Sequence, residues 1–147
     1  MPNADAASRS TGADRALIEQ RVRRILELRA DGDIAGMLEF VAPDIVYTGG
    51  TWRRFPMQGR HEGRRAVGDM VRQMNILFEN LGSTINKLLI DGDRVAVHRT
   101  STIRNRGAGA AVAVEIWNFV RFRDGLVVEF SEYPDTQAFA SLGEPAG

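Results

Sequence analysis

Along the first half of the chain apolar residues recur at every third or fourth position, and along the last third at every second, so the pattern predicts helices followed by strands. From Asp14, read as an N-cap, Ile18, Val22, Ile25 and Leu26 share one helical face, and Asp31-Gly32 supplies the stop. A short second helix is predicted from Asp33 to near Pro43, then a first strand in "DIVYTG" and a long loop in "TWRRFPMQGRHEG". Val67, Met70, Val71, Met74, Leu77 and Phe78 make the apolar stripe of a third helix. Four strand-like runs follow at 81–90, 94–104, 111–122 and 126–133, separated by "DGD", "NRGAGA" and "RDG". Turn residues so closely spaced imply a meander of hairpins. The order predicts one α+β domain over 14–142, its N-terminal helices packed on a curved, mostly antiparallel sheet that forms a conical barrel with an internal pocket. Residues 1–13 read as a disordered tail and 143–147 as a C-terminal one.

Alternation also assigns faces. In the 111–122 run Val112, Val114, Ile116, Asn118, Val120 and Phe122 form the inward set, because the other phase carries Glu115 and Arg121 beside Trp117 and Phe119. In the last run Leu126, Val128 and Phe130 are apolar, and Glu132 completes the same row. A three-residue Arg-Asp-Gly loop that pairs 122 with 126 brings Asn118 and Glu132 to one face, whereas a two-residue Asp-Gly loop pairs Trp117 with Glu132. The apolar pattern favours the longer loop. Val95, Val97, Arg99, Ser101 and Ile103 form the inner row of the 94–104 run. Three apolar rows therefore end in polar groups: Arg99 with Ser101, Asn118, and Glu132. A carboxylate in that place has two readings. It is a general acid or base whose pKa burial raises toward neutrality, or it is half of a structural ion pair with Arg99. Direct contact with Arg99 opposes such a rise; otherwise the guanidinium is free to bind a developing oxyanion.

Composition narrows the function classes. Nineteen basic residues balance nineteen acidic ones, which leaves no overall field to hold nucleic acid or an anionic membrane. The absence of cysteine removes disulfides, thiolate metal sites and cysteine nucleophiles. His61 and His98 lie in no metal-ligand spacing, so neither a metal nor any other cofactor is expected. The first thirteen residues lack the apolar core of a secretory signal and no run of about 18 apolar residues occurs, which predicts a cytoplasmic protein. "GAGAAV" precedes a strand rather than a helix and is no dinucleotide site.

The C-terminal stretch "VVEFSEYPDTQAFASLGEP" resembles the end of SnoaL-like polyketide cyclases, and the chain from about Ala13, including "ADGDIAGMLEFVAPDIVY" and "GRHEGRRAV", is similar to the wider nuclear transport factor two-like superfamily. The resemblance implies a cone-shaped α+β fold, a fold that hosts several chemistries and does not by itself settle function. It puts the cyclase's catalytic aspartate on Glu132 and its histidine on Asn118. The pattern of limonene epoxide hydrolase falls on Tyr47, Arg99 and Glu132, with Gly49 and Ser101 in place of its asparagine and second aspartate. The ketosteroid isomerase pattern falls on Ile25, Gly49 and Asn118 and is rejected. The resemblance thus implies a cofactor-independent enzyme performing acid–base cyclisation or isomerisation on an apolar, carbonyl-containing or polyketide-like molecule. Glu132 is its acid or base, Asn118 and Arg99 orient the substrate or stabilise its oxyanion, and Tyr47 donates a hydrogen bond. Trp52, Phe55, His61, Ser101 and Phe130 line the pocket. Water addition to an epoxide and a non-catalytic binding or dimerising module are the alternatives. Trp117 and Phe119, on the outer face, resemble the sheet-to-sheet contact of a homodimer in that superfamily.

Overall fold

The inner rows expected from alternation are present in the structure, a computed structural model that describes residues 12–50 and 55–143. The expected N-terminal tail before Gly12, Trp52 and the tail after Gly143 lie outside the described residues. Helix α1 spans Gly12–Ala30, α2 Ile34–Leu38 and α3 Arg64–Leu77. Strands are β1 (Val41–Thr48), β2 (Arg60–Glu62), β3 (Phe78–Asp91), β4 (Arg94–Asn105), β5 (Ala111–Arg123) and β6 (Leu126–Pro134), and a last short helix, α4, covers Thr136–Ala140. One sheet contains all six strands in the order β2-β1-β6-β5-β4-β3. Only the β1–β6 pair is parallel. The sheet does not close into the expected barrel: β2 and β3 are its two edges. Among the described residues no helix is long and apolar enough to cross a membrane.

Helix α1 ends where the sequence places its stop. Gly32 takes φ 78°, the Gly32 amide donates to the Arg29 carbonyl and the Asp33 amide to the Leu28 carbonyl, the paired bonds of a Schellman cap. Asp33 then caps α2 by accepting from the Gly36 amide at 2.9 Å. The start differs from expectation, since Asp14 sits inside the first turn rather than before it. The second helix also stops earlier than Pro43, which belongs to β1. Pro43 can sit there because the β1–β6 ladder is interrupted between Val41 and Val46, so no strand partner needs the amide that proline lacks.

Val22, Ile25, Leu26 and Leu28 of α1 and Val67, Met70, Val71 and Met74 of α3 join the inner sheet residues Val95, Val97, Val114, Ile116, Val120 and Phe122 in one core. The β5–β6 hairpin arrives at its inward-facing register by an unexpected route. Its turn is the two-residue one, with Asp124 at φ 52° and Gly125 at φ 78° between the paired residues Arg123 and Leu126. Left unbroken, that turn would face Glu132 outward beside Trp117. Instead the ladder steps from Phe122↔Val127 to Arg121↔Glu129, leaving Val128 as an inserted residue. This bulge restores Asn118↔Glu132. It also buries Val127 at that level beside Val128, at 1% and 3% exposed, while Leu126 is only half-buried.

β3 is a long strand on an open edge, and it is irregular. Its pairing with β4 slips between Asn80 and Gly82 and again between Ile85 and Lys87.

Candidate functional site

The polar ends of the inner rows converge. Glu132 is 2% exposed, Asn118 1%, Arg99 4%, Ser101 0% and Tyr47 2%. β1 supplies Tyr47, β4 Arg99 and Ser101, β5 Asn118 and β6 Glu132. The Tyr47 hydroxyl donates to Glu132 Oε2 at 2.6 Å. Arg99 spends all three of its nitrogens inside the cluster: Nη2 donates to Glu132 Oε1, Nε to Asn118 Oδ1 at 2.8 Å, and Nη1 to Ser101 Oγ at 2.8 Å. Ser101 also shares a 2.6 Å hydrogen bond with Ser83 of β3. Asn118 Nδ2 donates to the Ser131 carbonyl at 3.3 Å and reaches Glu132 Oε1 at 3.4 Å.

A fifth element contributes a residue that the pattern of the chain did not single out. Arg29, in the last turn of α1, donates from Nη1 to both Glu132 oxygens at 2.8 Å, with its side chain 17% exposed. The signal was there. Arg29 continues the stripe Ile18, Val22, Ile25 at helical spacing, an interruption of an apolar row of the same kind that drew attention to Glu132.

This geometry sets the ionisation. Burial by itself would raise the pKa of Glu132, but the charges of Arg29 and Arg99 and the hydrogen bonds from Tyr47 and Arg29 outweigh it, and the carboxyl is held at about 2. The expectation of a carboxyl raised toward neutrality is therefore corrected, for the reason that contact with Arg99, now doubled by Arg29, opposes it. Burial, reinforced by the Glu132 charge, pushes the Tyr47 hydroxyl well above its ordinary value, so it stays a neutral donor. Burial together with the Arg29 charge lowers Arg99 by more than Glu132 restores, yet a guanidinium starts so high that it remains charged.

The remaining expected residues fall on two sides. Phe130 stacks on Tyr47 with ring centroids 6.0 Å apart, and His61 meets the Tyr47 ring edge-on at 5.8 Å while its Nε2 lies 2.9 Å from the Gln58 carbonyl oxygen. Phe55 is elsewhere. It packs against Phe78 and Phe139 as part of the core, 9% exposed. Three of the open grooves on the described surface have no Glu132, Arg99, Asn118, Tyr47 or Arg29 in their lining. One of them, about 430 Å³ between α1 and the bulged part of β3, is lined by Ser83 and so touches the cluster through the Ser83–Ser101 bond.

Residues 22–130 match the SnoaL-like domain family. The chain belongs to that family. The match contains Arg29, Tyr47, Arg99 and Asn118 of this SnoaL-like domain, and Glu132 lies two residues beyond it. No curated protein sequence matches the chain. Among solved structures, a nuclear transport factor two-like protein of unknown function from Burkholderia pseudomallei aligns with a TM-score of 0.76 at 22% identity, covering 86% of this chain and 96% of that one. A limonene-epoxide-hydrolase-like epoxide hydrolase from M. tuberculosis aligns at 0.71 and 19% identity, covering 86% and 90%. A protein from Mesorhizobium loti proposed to be a SnoaL-like polyketide cyclase aligns at 0.64 and 20%, covering 79% and 97%. At these identities the likeness shows the shared α+β fold.

Proposed function

We propose that this SnoaL-like domain takes an apolar, carbonyl-containing small molecule beside the Tyr47–Arg99–Glu132 cluster, and that any turnover relies on fixed charge rather than on a proton carried by Glu132. The observation behind this reading is that Glu132 accepts from Arg29, Arg99 and Tyr47 at once. A carboxyl held at about 2 by three donors is ionised at pH 7, which argues against it as the neutral donor of an acid–base pair. Its ionised form instead fixes the two guanidiniums, and these favour a substrate oxygen that gains negative charge, as in isomerisation or cyclisation through an enolate whose Cα proton passes to a water molecule and is returned from it to the product. No cofactor enters this scheme.

Water addition to an epoxide is the second reading, favoured by the meeting of Tyr47 and Arg99 on Glu132. Two positions weaken it. Ser101 is no acid, and a Cβ at Gly49 would lie 1.8 Å from the Met57 carbonyl oxygen, so no side chain can hold the water from there. A non-catalytic binding module remains consistent with the same cluster. A homodimer through the outer sheet face belongs to the proposal too, because Trp117 (41%), Phe119 (57%) and Tyr133 (42%) expose large rings side by side on β5 and β6.

The deciding experiment is a pH–rate profile of the purified chain on a panel of polyketide-like ketones and small epoxides. Fixed-charge catalysis predicts a rate independent of pH from about 5 to 8. A profile with an apparent pKa inside that window that disappears in Glu132→Gln would return Glu132 to the role of titrating acid and sink the reading.

A further inference from the structure

The cluster does not balance its charge. Glu132 contributes one negative charge against the two positive charges of Arg29 and Arg99, neither guanidinium can shed its proton, and Tyr47 is held neutral. No other charged group of the described residues contacts these three side chains by hydrogen bond or ion pair. The C-terminal end of α1 offsets part of the excess at Arg29, but the partial charge of a helix end falls short of a full counter-charge. An uncompensated charge away from water is costly, so the excess has to be met from outside the protein.

The hydrogen bonds show where. All three nitrogens of Arg99 are engaged, whereas the bonds of Arg29 to Glu132 use Nη1 alone; its other contact is the Tyr47 hydroxyl, and neither Nε nor Nη2 donates to a carboxylate or backbone carbonyl of the described residues. These two nitrogens form the side-on fork of a guanidinium, whose parallel N–H groups match the two oxygens of a carboxylate. Glu132 pins the opposite end of the same plane through two 2.8 Å bonds, so the fork is oriented before anything binds. The Arg29 side chain is also the part of the triad nearest solvent, at 17% against 5% for Arg99 and 3% for Glu132.

We infer that the Nε/Nη2 edge of Arg29 is the anion-binding subsite of this domain, and that its ligand is an apolar molecule bearing a carboxylate or comparable oxyanion. This rests on the reading of the cluster as a small-molecule site and adds the charge of the molecule it takes. The Tyr47 ring, stacked on Phe130, is the aromatic surface that Glu132 ties to Arg29.

Benzoate and its neutral isostere benzamide separate the possibilities, titrated into the 15N-labelled full chain with the Arg29 Nε–Hε signal as reporter. The expected result is a saturable shift of that signal with benzoate, an affinity for benzamide at least about tenfold weaker, and a loss of about tenfold in benzoate affinity in Arg29→Lys, which keeps the charge but not the fork. Because the first two observations use the unaltered protein, they stand even if the variant folds poorly. Equal affinities for the two probes, with shifts around Tyr47 and Phe130, would leave the small-molecule reading in place and overturn the anion subsite. Benzoate binding equally well to Arg29→Lys would also overturn it. Silence of Arg29, Tyr47 and Phe130 toward both probes would overturn both.

Discussion

Arg99 reaches Glu132 on the inner face of the sheet with side chains 5% and 3% exposed, and on the outer face of the same hairpin Arg121 reaches Glu129 at 3.1 Å with side chains 33% and 57% exposed. Both carboxyls are held below their ordinary range, but for different reasons. Glu129 is lowered by its hydrogen bond from Arg121, with little burial to oppose it. Glu132 is lowered in spite of complete burial, because the charges of Arg29 and Arg99 and the hydrogen bonds from Tyr47 and Arg29 outweigh the solvent they replace. Burial alone therefore does not predict which way a carboxyl titrates. The donors that come with it decide.

The contrast can be broken most directly at its buried carboxylate. Glu132→Gln leaves two guanidiniums without their counter-charge and is expected to cost about 3–5 kcal/mol in urea unfolding; a loss below about 1 kcal/mol would mean that water already solvates the cluster. The next effect comes from pH. A carboxyl whose folded pKa lies below its unfolded value stabilises the fold above the unfolded value, and that contribution disappears as pH falls from about 4.5 to about 2. It amounts to about 3 kcal/mol, seen as a falling urea midpoint across that range that Glu132→Gln does not share. Arg99→Met should cost less, about 1–3 kcal/mol, since Glu132 keeps Arg29 and the loss is the donors to Asn118 and Ser101. Smallest is Arg121→Ala on the outer face, expected to leave the urea midpoint nearly unchanged and to matter still less in high salt. If the outer change proved as damaging as the inner one, the distinction drawn between the faces would fail.

Much of this was legible in the order of residues. Alternation in β4 and β5 marked the buried rows as they are found, Arg99, Ser101 and Asn118 included, because a regular strand transmits its period without loss. The face of Glu132 came out right while the hairpin came out wrong. A two-residue turn and a one-residue bulge together return to the inner face, as a three-residue loop does, and Val128 carries no residue-type mark that would reveal the bulge. Arg29 stands near Arg21, Arg23 and Arg24 in the sequence, and arginines this frequent along a helix are accounted for by a solvated face without any inward role. The helical phase of Arg29 separated it from them, but phase says only that a side chain points inward, and the partner on β6 is about a hundred residues away. The open sheet was hidden as well, since closure depends on whether β2 and β3 meet, and no local pattern records that.

Those two edges also bear on how copies of the chain can assemble. An exposed strand edge is a template for another chain, and the hazard grows with the length of uninterrupted ladder it offers. β2 offers three residues, two of them the charged Arg60 and Glu62. β3 is fourteen residues long, yet its slips at Asn80/Gly82 and Ile85/Lys87 cut it into short runs, the longest being the five residues Lys87–Asp91, which opens on a lysine and closes on an aspartate. Backbone-to-backbone growth into a continuous sheet is thereby starved of regular edge at both ends, which leaves the broad face, where the proposed dimer contact lies, as the surface open to side-chain contacts.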